Sequence, residues 1–436
     1  MSQKTQDEIY DAKQLGASKV IILGFQHMFA MFGATVLVPL LTGLDVSTTL
    51  LFAGIGTLLF HMLTHNRVPA FLGSSFAFLG GYAAIAPILE DGSSNVAMIP
   101  YACFGVACAG FMYLIMAALI KMFSAKRVMR FFPPIVTGPI IIAIGLTLSK
   151  SAIDNCSSNW LIALVAIVVV ILCNIYGKGM IKIIPILIGV IISYVTGIMM
   201  GEVNFSGVVN ADWFGIPIHK EMTVLALLDG NMDSAMLITS IITIMPIALA
   251  TIVEHIGDIS AISSTTGENY IKNPGLHRTL LGDGLATMAA SLFGAPANTT
   301  YGENTGVLAI TKNYNPAILR ITAVFAILLS FVAKFGAVIR TIPQPVMGGI
   351  SLILFSMIAI VGVKTIKREQ VKFSFFNIIV IVSILFVGLS GNFLSHPISI
   401  KITETVSISG LSLAAIVGVV LNIIFTQINK FTKKDI

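Results

Sequence analysis

The chain has 436 residues, of which 56% are hydrophobic and only 11% are charged, and its mean hydropathy is +0.94. Soluble domains carry about 25% charged residues, so this composition excludes an ordinary soluble enzyme or binding module and predicts an integral membrane protein. The formal charge of +6 does not indicate nucleic-acid binding, because the basic residues stand in short segments between apolar runs, as the positive-inside rule expects.

The cysteines and the N-terminal residues suggest no further chemistry. The four cysteines, Cys103, Cys108, Cys156 and Cys173, lie in or beside apolar runs without metal-ligand spacing. We therefore expect no metal site, no cofactor and no disulfide. Residues 1–19 are polar and lack a signal-peptide cleavage pattern, so we expect the first span to direct its own insertion.

Apolar runs of about twenty residues, the length that crosses a hydrocarbon core of about 30 Å, recur along the chain. They predict an all-α polytopic membrane protein with fourteen spans, the third and tenth of them broken by polar residues and glycines. The longest polar loop, 201–233, follows the seventh span. The predicted spans are 20–41, 46–63, 68–86, 96–119, 128–148, 161–175, 181–200, 235–259, 280–293, 294–312, 317–339, 346–363, 375–389 and 408–428.

The positive charges predict the orientation of these spans. With a cytoplasmic N-terminus and alternating sides, 21 of the 26 Lys and Arg residues lie inside and 5 outside. This asymmetry predicts a multi-pass plasma-membrane protein with both termini in the cytoplasm.

The tenth span, GAPANTTYGENTGVLAITK, is unlike an ordinary membrane helix. Irregular backbone at membrane depth is tolerated only where it faces protein or a water-filled cavity. A segment extended through Ala297–Thr300 that turns at Gly302 and continues as a helix from Glu303 would leave helix-start N–H groups free to bind a polar solute. The alternative is a re-entrant loop whose polar atoms satisfy one another.

The two halves of the chain resemble each other. The pattern P-x-x-V-x-G occurs at 133–138 and at 343–348, and Gln26-His27 in the first span has a counterpart in Glu254-His255 in the eighth. Two seven-span repeats explain these matches, and because seven is odd the second repeat must be inverted. The broken segments at 73–78 and 295–303 would then meet near the middle of the membrane, where secondary transporters bind their substrates.

Four carboxylates stand inside predicted spans. Glu254 and Asp258 are four positions apart and share a helix face, Asp283 lies between two glycines, and Glu303 follows the break in the tenth span. A carboxylate at the bilayer centre costs about 2.5–3.5 kcal/mol, so each needs a partner, a proton or water and is a candidate proton carrier. The alternatives are a buried hydrogen-bonding role for the two glutamates, helix packing for Asp283, and a position too near the cytoplasmic end for Asp258.

Other polar and aromatic residues carry weaker signals. We expect His27 and His255 to be helix-contact histidines rather than proton relays. Phe76, Tyr301 and Phe355 are candidate walls for a flat ligand because they stand in or near the broken segments. The sequence shows no phosphate-binding loop, nucleophile elbow or zinc-site pattern, which argues against a pump or a membrane enzyme.

The motifs resemble those of the nucleobase-ascorbate transporters (nucleobase:cation symporters). The segment 303–312 matches their pattern [QE]-N-x-G-x-x-x-x-T-[RK], and together with 298–302 it looks like the uracil permease branch. Further matches are Gln26-His27, LGSSFAF at 72–78, EHIGD at 254–258, NPGLHR at 273–278 and PVMGG at 345–349. The resemblance covers nearly the whole chain.

This resemblance implies a fold of two inverted seven-span repeats with short strands at the third and tenth spans. It implies a core domain from spans 1–4 and 8–11, a gate domain from spans 5–7 and 12–14, and a homodimer formed through the gate domain. The implied divisions are a tail at 1–19, core at 20–125, gate at 126–202, an extracellular loop at 203–234, core at 235–340, gate at 341–430 and a tail at 431–436.

The resemblance also implies the site. Glu254 and Glu303 would accept hydrogen bonds from a pyrimidine, and the backbone N–H groups of Phe76 and Gly302 would donate to its carbonyls. The remaining implied residues are Tyr301 and Phe355 beside the ring, Glu254, Asp258 and Asp283 in proton coupling, and His27, Ser75 and Asn304 in support.

The sequence thus predicts a proton symporter that imports uracil by alternating access. Asp258 stands where some uracil permeases carry His, and purine-transporting relatives tend to carry Asp, so a xanthine or purine permease stays an alternative. An anion exchanger of the same architecture and a non-transporting receptor or scaffold are the others.

Overall fold

The computed structural model describes residues 16–89, 93–128, 133–230, 232–368, 370–371, 373–394, 397–401 and 407–432. Over these residues the chain is mostly helical, with two pairs of short strands. The elements are α1 (Ala17–Thr42), α2 (Val46–Leu63), β1 (Leu72–Ser74), α3 (Leu79–Ile85), α4 (Ile99–Phe123), α5 (Ala125–Val128), α6 (Pro134–Ser157), α7 (Trp160–Tyr176), α8 (Met180–Ile183), α9 (Pro185–Met199), α10 (Ser206–Asn210), α11 (Ser234–Ile244), α12 (Ala248–Thr266), α13 (Leu276–Leu292), β2 (Asn298–Thr300), α14 (Gly302–Thr311), α15 (Pro316–Ser330), α16 (Ala333–Ile339), α17 (Gln344–Arg368), α18 (Phe375–Phe393), β3 (Ser399–Lys401), β4 (Ser407–Ser409) and α19 (Gly410–Thr432).

Eight helical segments in the described part of the chain are long and apolar enough to cross a membrane, and α15 with α16 would make a ninth if this pair, bent by 88°, is one span. One of the eight, Ser234–Thr266, consists of α11 and α12 joined by one turn of 3₁₀ helix at Met245–Ile247. The eighth span therefore extends beyond its predicted end. α3, α7 and α9 are shorter apolar helices. A multi-pass helical membrane protein is thereby supported, and the count of fourteen stays a prediction.

Helix starts follow from local sequence. The Asp45 carboxylate accepts a hydrogen bond from the Thr48 N–H at 2.7 Å at the start of α2, and Asn315 caps α15 in the same way at 2.8 Å. Proline, which lacks an N–H and is therefore suited to a first helical turn, begins α6, α9 and α15.

The two broken segments meet as a pair of short antiparallel strands. Leu72 of β1 lies opposite Thr300 of β2, and Ser74 lies opposite Asn298. The pairing continues at both ends, because the Ser75 N–H donates to the Ala297 carbonyl at 2.9 Å and the Tyr301 N–H donates to the Phe71 carbonyl at 3.0 Å. The predicted strands in the third and tenth spans are confirmed, as is the predicted helix that follows the second of them.

The strand pair is fixed to the neighbouring helices by buried hydrogen bonds. The Asn298 amide donates to the Phe52 carbonyl of α2, and the Thr287 hydroxyl of α13 donates to the Asn298 carbonyl, both at 2.8 Å. The Thr57 hydroxyl of α2 accepts from the Leu72 N–H at 2.9 Å. These bonds satisfy polar groups that would otherwise be costly at membrane depth.

Tyr301 lies over Gly73 and ties the strand pair to α1. Its hydroxyl donates to the Ser74 carbonyl at 3.0 Å and accepts from the Thr35 hydroxyl at 3.2 Å. A Cβ atom added at Gly73 would lie 2.5 Å from the Tyr301 ring, closer than any real contact. The glycine is therefore required for this close approach.

We expect Gly73→Ala to lower the free energy of unfolding by about 1–3 kcal/mol, because the tyrosine must move away from its two hydrogen-bond partners. The measurement is thermal or denaturant unfolding of the purified protein. Gly306→Ala is the control, since a Cβ there would meet nothing within 4 Å. Equal stability of the Gly73→Ala variant and the wild type would contradict the close packing.

The large helices pack in pairs around several apolar clusters. α4 packs along α13, α2 and α1 along α15, α6 along α17, α7 along α9, and α18 along α19. α1 also touches α9, where a Cβ on Gly33 would lie 2.7 Å from the Ile186 side chain.

The long loop after α9 lies over the bend between α15 and α16. The Gly215 N–H donates to the Phe331 carbonyl at 3.0 Å, and the Lys334 ammonium lies 4.7 Å from the Trp213 ring centre. Asp45 pairs with Arg340 beneath the loop. A cavity of about 670 Å³ opens here, and none of the predicted site residues lines it.

Candidate functional site

The structure brings the four intramembrane carboxylates together. Glu254 and Asp258 lie one turn apart in α12, Asp283 lies in the middle of α13, and Glu303 is the second residue of α14. α12 packs beside α13, α14 and β2. The four groups therefore lie within electrostatic reach of one another.

Open space borders part of this cluster. Glu254 and Gly302 are exposed, and Asp258, Glu303 and Phe76 are half-buried. A Cβ atom added at Gly302 would meet nothing within 4 Å. An accessible carboxylate in the middle of an apolar helix requires water or a polar ligand beside it, so this space can hold a polar solute.

Each strand leads into a helix start. β2 continues through Tyr301 into α14, and β1 continues through Ser75 into a single turn of tight helix at Phe76–Phe78. The first N–H groups of a helix have no acceptor within that helix and can donate to the oxygen of a ligand. The predicted backbone donors at Phe76 and Gly302 are both placed at such starts.

A second cluster, buried except for the half-buried Asp258, adjoins the open space. His255 Nδ1 is 3.1 Å from Asp283 Oδ2, and neither side chain has any exposed surface. The Thr300 hydroxyl donates to Asp258 Oδ2 at 3.0 Å and lies 3.5 Å from His255 Nδ1. These contacts join α12, α13 and β2.

The sequence did not predict this arrangement. His255 is a contact between α12 and α13, as expected, but the sequence predicts neither Asp283 as its partner nor a role for Thr300. The only available signal was the position of the histidine next to Glu254 and of the threonine two residues before Gly302. Recognising the cluster requires the register between three elements.

The predicted supporting residues join α14 and the strand pair to their neighbours. The Asn304 amide donates to His27 Nδ1 at 3.1 Å and to the His27 carbonyl at 3.2 Å, with both side chains buried. Ser75 is buried at the end of β1, where its N–H extends the strand pairing. His27 is thus a helix contact between α1 and α14, and a role of these residues in transport stays a prediction.

The predicted aromatic walls differ in accessibility. Tyr301 is 5% exposed and Phe355 is 2% exposed, and each belongs to a packed apolar cluster. Phe76 is half-buried and packs against the clusters of both residues. Among the three, only Phe76 is accessible to a ligand to a substantial extent, and contact of the other two with a substrate stays a prediction.

The described residues show no group of three or more His, Cys, Asp or Glu side chains that could hold a metal ion. The carboxylates and helix starts around the open space form a set of hydrogen-bond acceptors and donors. Such a set suits a neutral polar molecule that presents both N–H and C=O groups.

Sequence comparison places the chain among known permeases. Residues 18–397 match a family described as "Permease family". A probable uracil permease of Haemophilus influenzae is 41% identical over 418 residues, which cover 94% of this chain and 95% of the relative. Uracil permeases of Bacillus caldolyticus and Escherichia coli are 41% and 34% identical over 93% and 96% of this chain, and 91% and 94% of their own lengths.

Solved structures show the same fold at low identity. The transmembrane domain of the cyanobacterial bicarbonate transporter BicA matches with a TM-score of 0.58 at 14% identity, covering 96% of this chain and 99% of that domain. The murine anion transporter Slc26a9 in its inward-facing state matches with a TM-score of 0.64 at 13% identity, covering 98% of this chain and 69% of the transporter. At this identity the likeness concerns the fold alone. The sequence match, by contrast, extends over almost the entire chain. The chain therefore belongs to the permease family, as its nucleobase-ascorbate transporter motifs indicate, and it is a membrane transporter and not an enzyme.

Proposed function

We propose that this permease imports uracil together with protons across the plasma membrane by alternating access. The observation that carries the proposal is the accessible Glu254 beside Glu303 at the start of α14. Uracil is the substrate that the names of the similar permeases suggest.

The chemistry of the site fits the edge of a pyrimidine. Uracil alternates carbonyl acceptors with N–H donors around its ring. The carboxylates of Glu254 and Glu303 can accept from the N–H groups, and the helix-start amides at Phe76 and Gly302 can donate to the carbonyls. The half-buried Phe76 ring would border the flat ligand, with Tyr301 and Phe355 in the layer behind it.

The crowding of carboxylates supports proton coupling. Four acidic groups this close together and this deep cannot all be ionised without a large electrostatic cost. We assign the transported proton to Glu254 and Asp258, with Asp283 as the buried neighbour. Coupling requires that uracil bind one protonation state more tightly than the other, since otherwise the proton gradient could do no work on it.

The proposed architecture is two inverted seven-span repeats that form a core domain, 20–125 with 235–340, and a gate domain, 126–202 with 341–430. Helix packing supports this division, because α1, α2, α4, α13 and α15 pack with one another, as do α6 with α17 and α7 with α9. Transport would move the core domain as a rigid body past the gate domain. Both termini would be cytoplasmic, and two copies would associate through their gate domains.

We expect purified protein in proteoliposomes to accumulate labelled uracil when the lumen is more alkaline than the outside, and to lose this accumulation when a protonophore removes the gradient. Excess unlabelled uracil should block uptake and excess xanthine should not. Block by xanthine would assign the chain to a purine substrate, and uptake that ignores the gradient would contradict proton coupling. Protein-free liposomes are the control.

A further inference from the structure

Thr300 occupies a position that connects the buried cluster to the ligand-facing helix. It is the last residue of β2, two positions before Gly302, and its side chain is 3% exposed. Its hydroxyl faces two side chains of α12 at once, Asp258 Oδ2 at 3.0 Å and His255 Nδ1 at 3.5 Å. Any change in this hydroxyl's bonding therefore acts directly on the strand that leads into α14.

When Asp258 is ionised, the protons of Thr300 and His255 can be assigned in one consistent way. A threonine hydroxyl has one proton to donate and lone pairs to accept with. Because Thr300 donates to Asp258, it can only accept from His255, so His255 Nδ1 carries a proton. The same nitrogen lies 3.1 Å from Asp283 Oδ2, so the charge of this carboxylate favours a proton on Nδ1. Asp283 thus holds His255 in the tautomer that leaves the Thr300 proton for Asp258.

The hydrogen bond between Thr300 and Asp258 depends on whether Asp258 is protonated. An ionised Asp258 accepts the Thr300 proton in a charge-assisted hydrogen bond. A protonated Asp258 can donate a hydrogen bond itself, so the Thr300 hydroxyl no longer has to donate to it. The other titratable groups facing the cluster are Glu254 of α12, Glu303 of α14 and Tyr113 of α4, whose ring centre lies 6.5 Å from that of His255.

We propose that Thr300, held by the buried His255–Asp283 pair, is a positioning residue that transmits the protonation state of Asp258 through β2 to the start of α14. This inference rests on the proposed function, because it names the residues that would link the proton-binding carboxylate to the substrate-facing helix start. It adds two residues, His255 and Thr300, to the groups that set the pH dependence of transport.

The neighbouring threonine provides a matched control. Thr299 is also buried in β2, and its hydroxyl has no hydrogen-bond partner among the described residues. Valine has the shape of threonine without the hydroxyl. Thr300→Val and Thr299→Val therefore make the same chemical change one position apart.

We expect the alkaline limb of the uptake-against-pH profile to move to higher pH by about one unit in Thr300→Val and to stay in place in Thr299→Val. The hydroxyl stabilises the ionised form of Asp258, so its loss lets Asp258 keep its proton at higher pH, and one unit corresponds to a tenfold change in proton affinity. Coincident profiles for the two variants would overturn the proposal.

A second measurement needs no substrate. We expect the thermal unfolding midpoint of Thr300→Val to fall further below that of the wild type as pH rises, because the lost bond is strongest when Asp258 is ionised. In an Asp258→Asn background this difference should no longer depend on pH. A difference that is independent of pH in the presence of Asp258 would overturn the inference, whereas absence of uptake by the wild type would overturn only the proposed function.

Discussion

We expect Glu303→Gln to abolish uracil uptake while the protein stays folded and inserted. Glutamine keeps the length and shape of the side chain but loses the charge, so it can neither accept a charge-assisted hydrogen bond from the ligand nor ionise. Hydrogen bonds to charged groups contribute about 1.5–3 kcal/mol, and losing one weakens binding by about 10-fold to 150-fold. The family pattern admits Gln at this position, so folding should not suffer.

The experiment compares uptake of labelled uracil by wild-type and Glu303→Gln proteoliposomes at matched protein content, with thermal unfolding as the test of folding. Glu221→Gln is the control, because this glutamate lies in the long loop with its side chain 60% exposed. It should transport normally. Normal transport by Glu303→Gln would exclude Glu303 from the substrate site.

The site residues that the sequence predicts are those that interrupt otherwise apolar segments. Pro296, Asn298 and Gly302 stand where a membrane helix should continue, and only an extended segment followed by a helix start accommodates them. The helical repeat places Glu254 and Asp258 on one face without any knowledge of tertiary structure. Local sequence thus predicts the extended segment before Gly302, the start of α14 and the shared helix face of Glu254 and Asp258, whereas the strand in the third span is implied only by the resemblance to the nucleobase-ascorbate transporters.

The features that the sequence does not predict depend on the register between elements that are far apart in the chain. Apolar periodicity does not fix the register of α12 against α13, so the sequence does not reveal that His255 meets Asp283. The bend of 88° between α15 and α16 falls at Phe331-Val332, where neither proline nor glycine marks it. The contact of Tyr301 with Gly73 likewise requires the strand register, which no local signal specifies.

The proposed motion between core and gate domains can be arrested at one point of close approach. Gly33 of α1 lies in the proposed core domain and Ile186 of α9 in the proposed gate domain, and a Cβ at Gly33 would lie 3.2 Å from the Ile186 Cβ. Disulfides join Cβ atoms about 3.5–4.5 Å apart, so a shift of a few tenths of an ångström suffices. We expect Gly33→Cys with Ile186→Cys, in a variant whose four native cysteines are alanine, to form a disulfide on oxidation and to stop uptake until it is reduced.

A second pair tests whether the cross-link acts through domain motion. Gly24 of α1 and Ile321 of α15 have the same geometry, with the added Cβ again 3.2 Å from the isoleucine Cβ, but both lie in the proposed core domain. Gly24→Cys with Ile321→Cys should therefore cross-link equally well and transport uracil at the rate of its reduced form. Gel shift after maleimide labelling measures the extent of cross-linking, and uptake is measured before and after reduction. If the Gly33–Ile186 disulfide forms fully and uptake continues, α1 and α9 do not separate during transport and the domain boundary must lie elsewhere, whereas arrest by both pairs would assign the effect to rigidity of α1 itself.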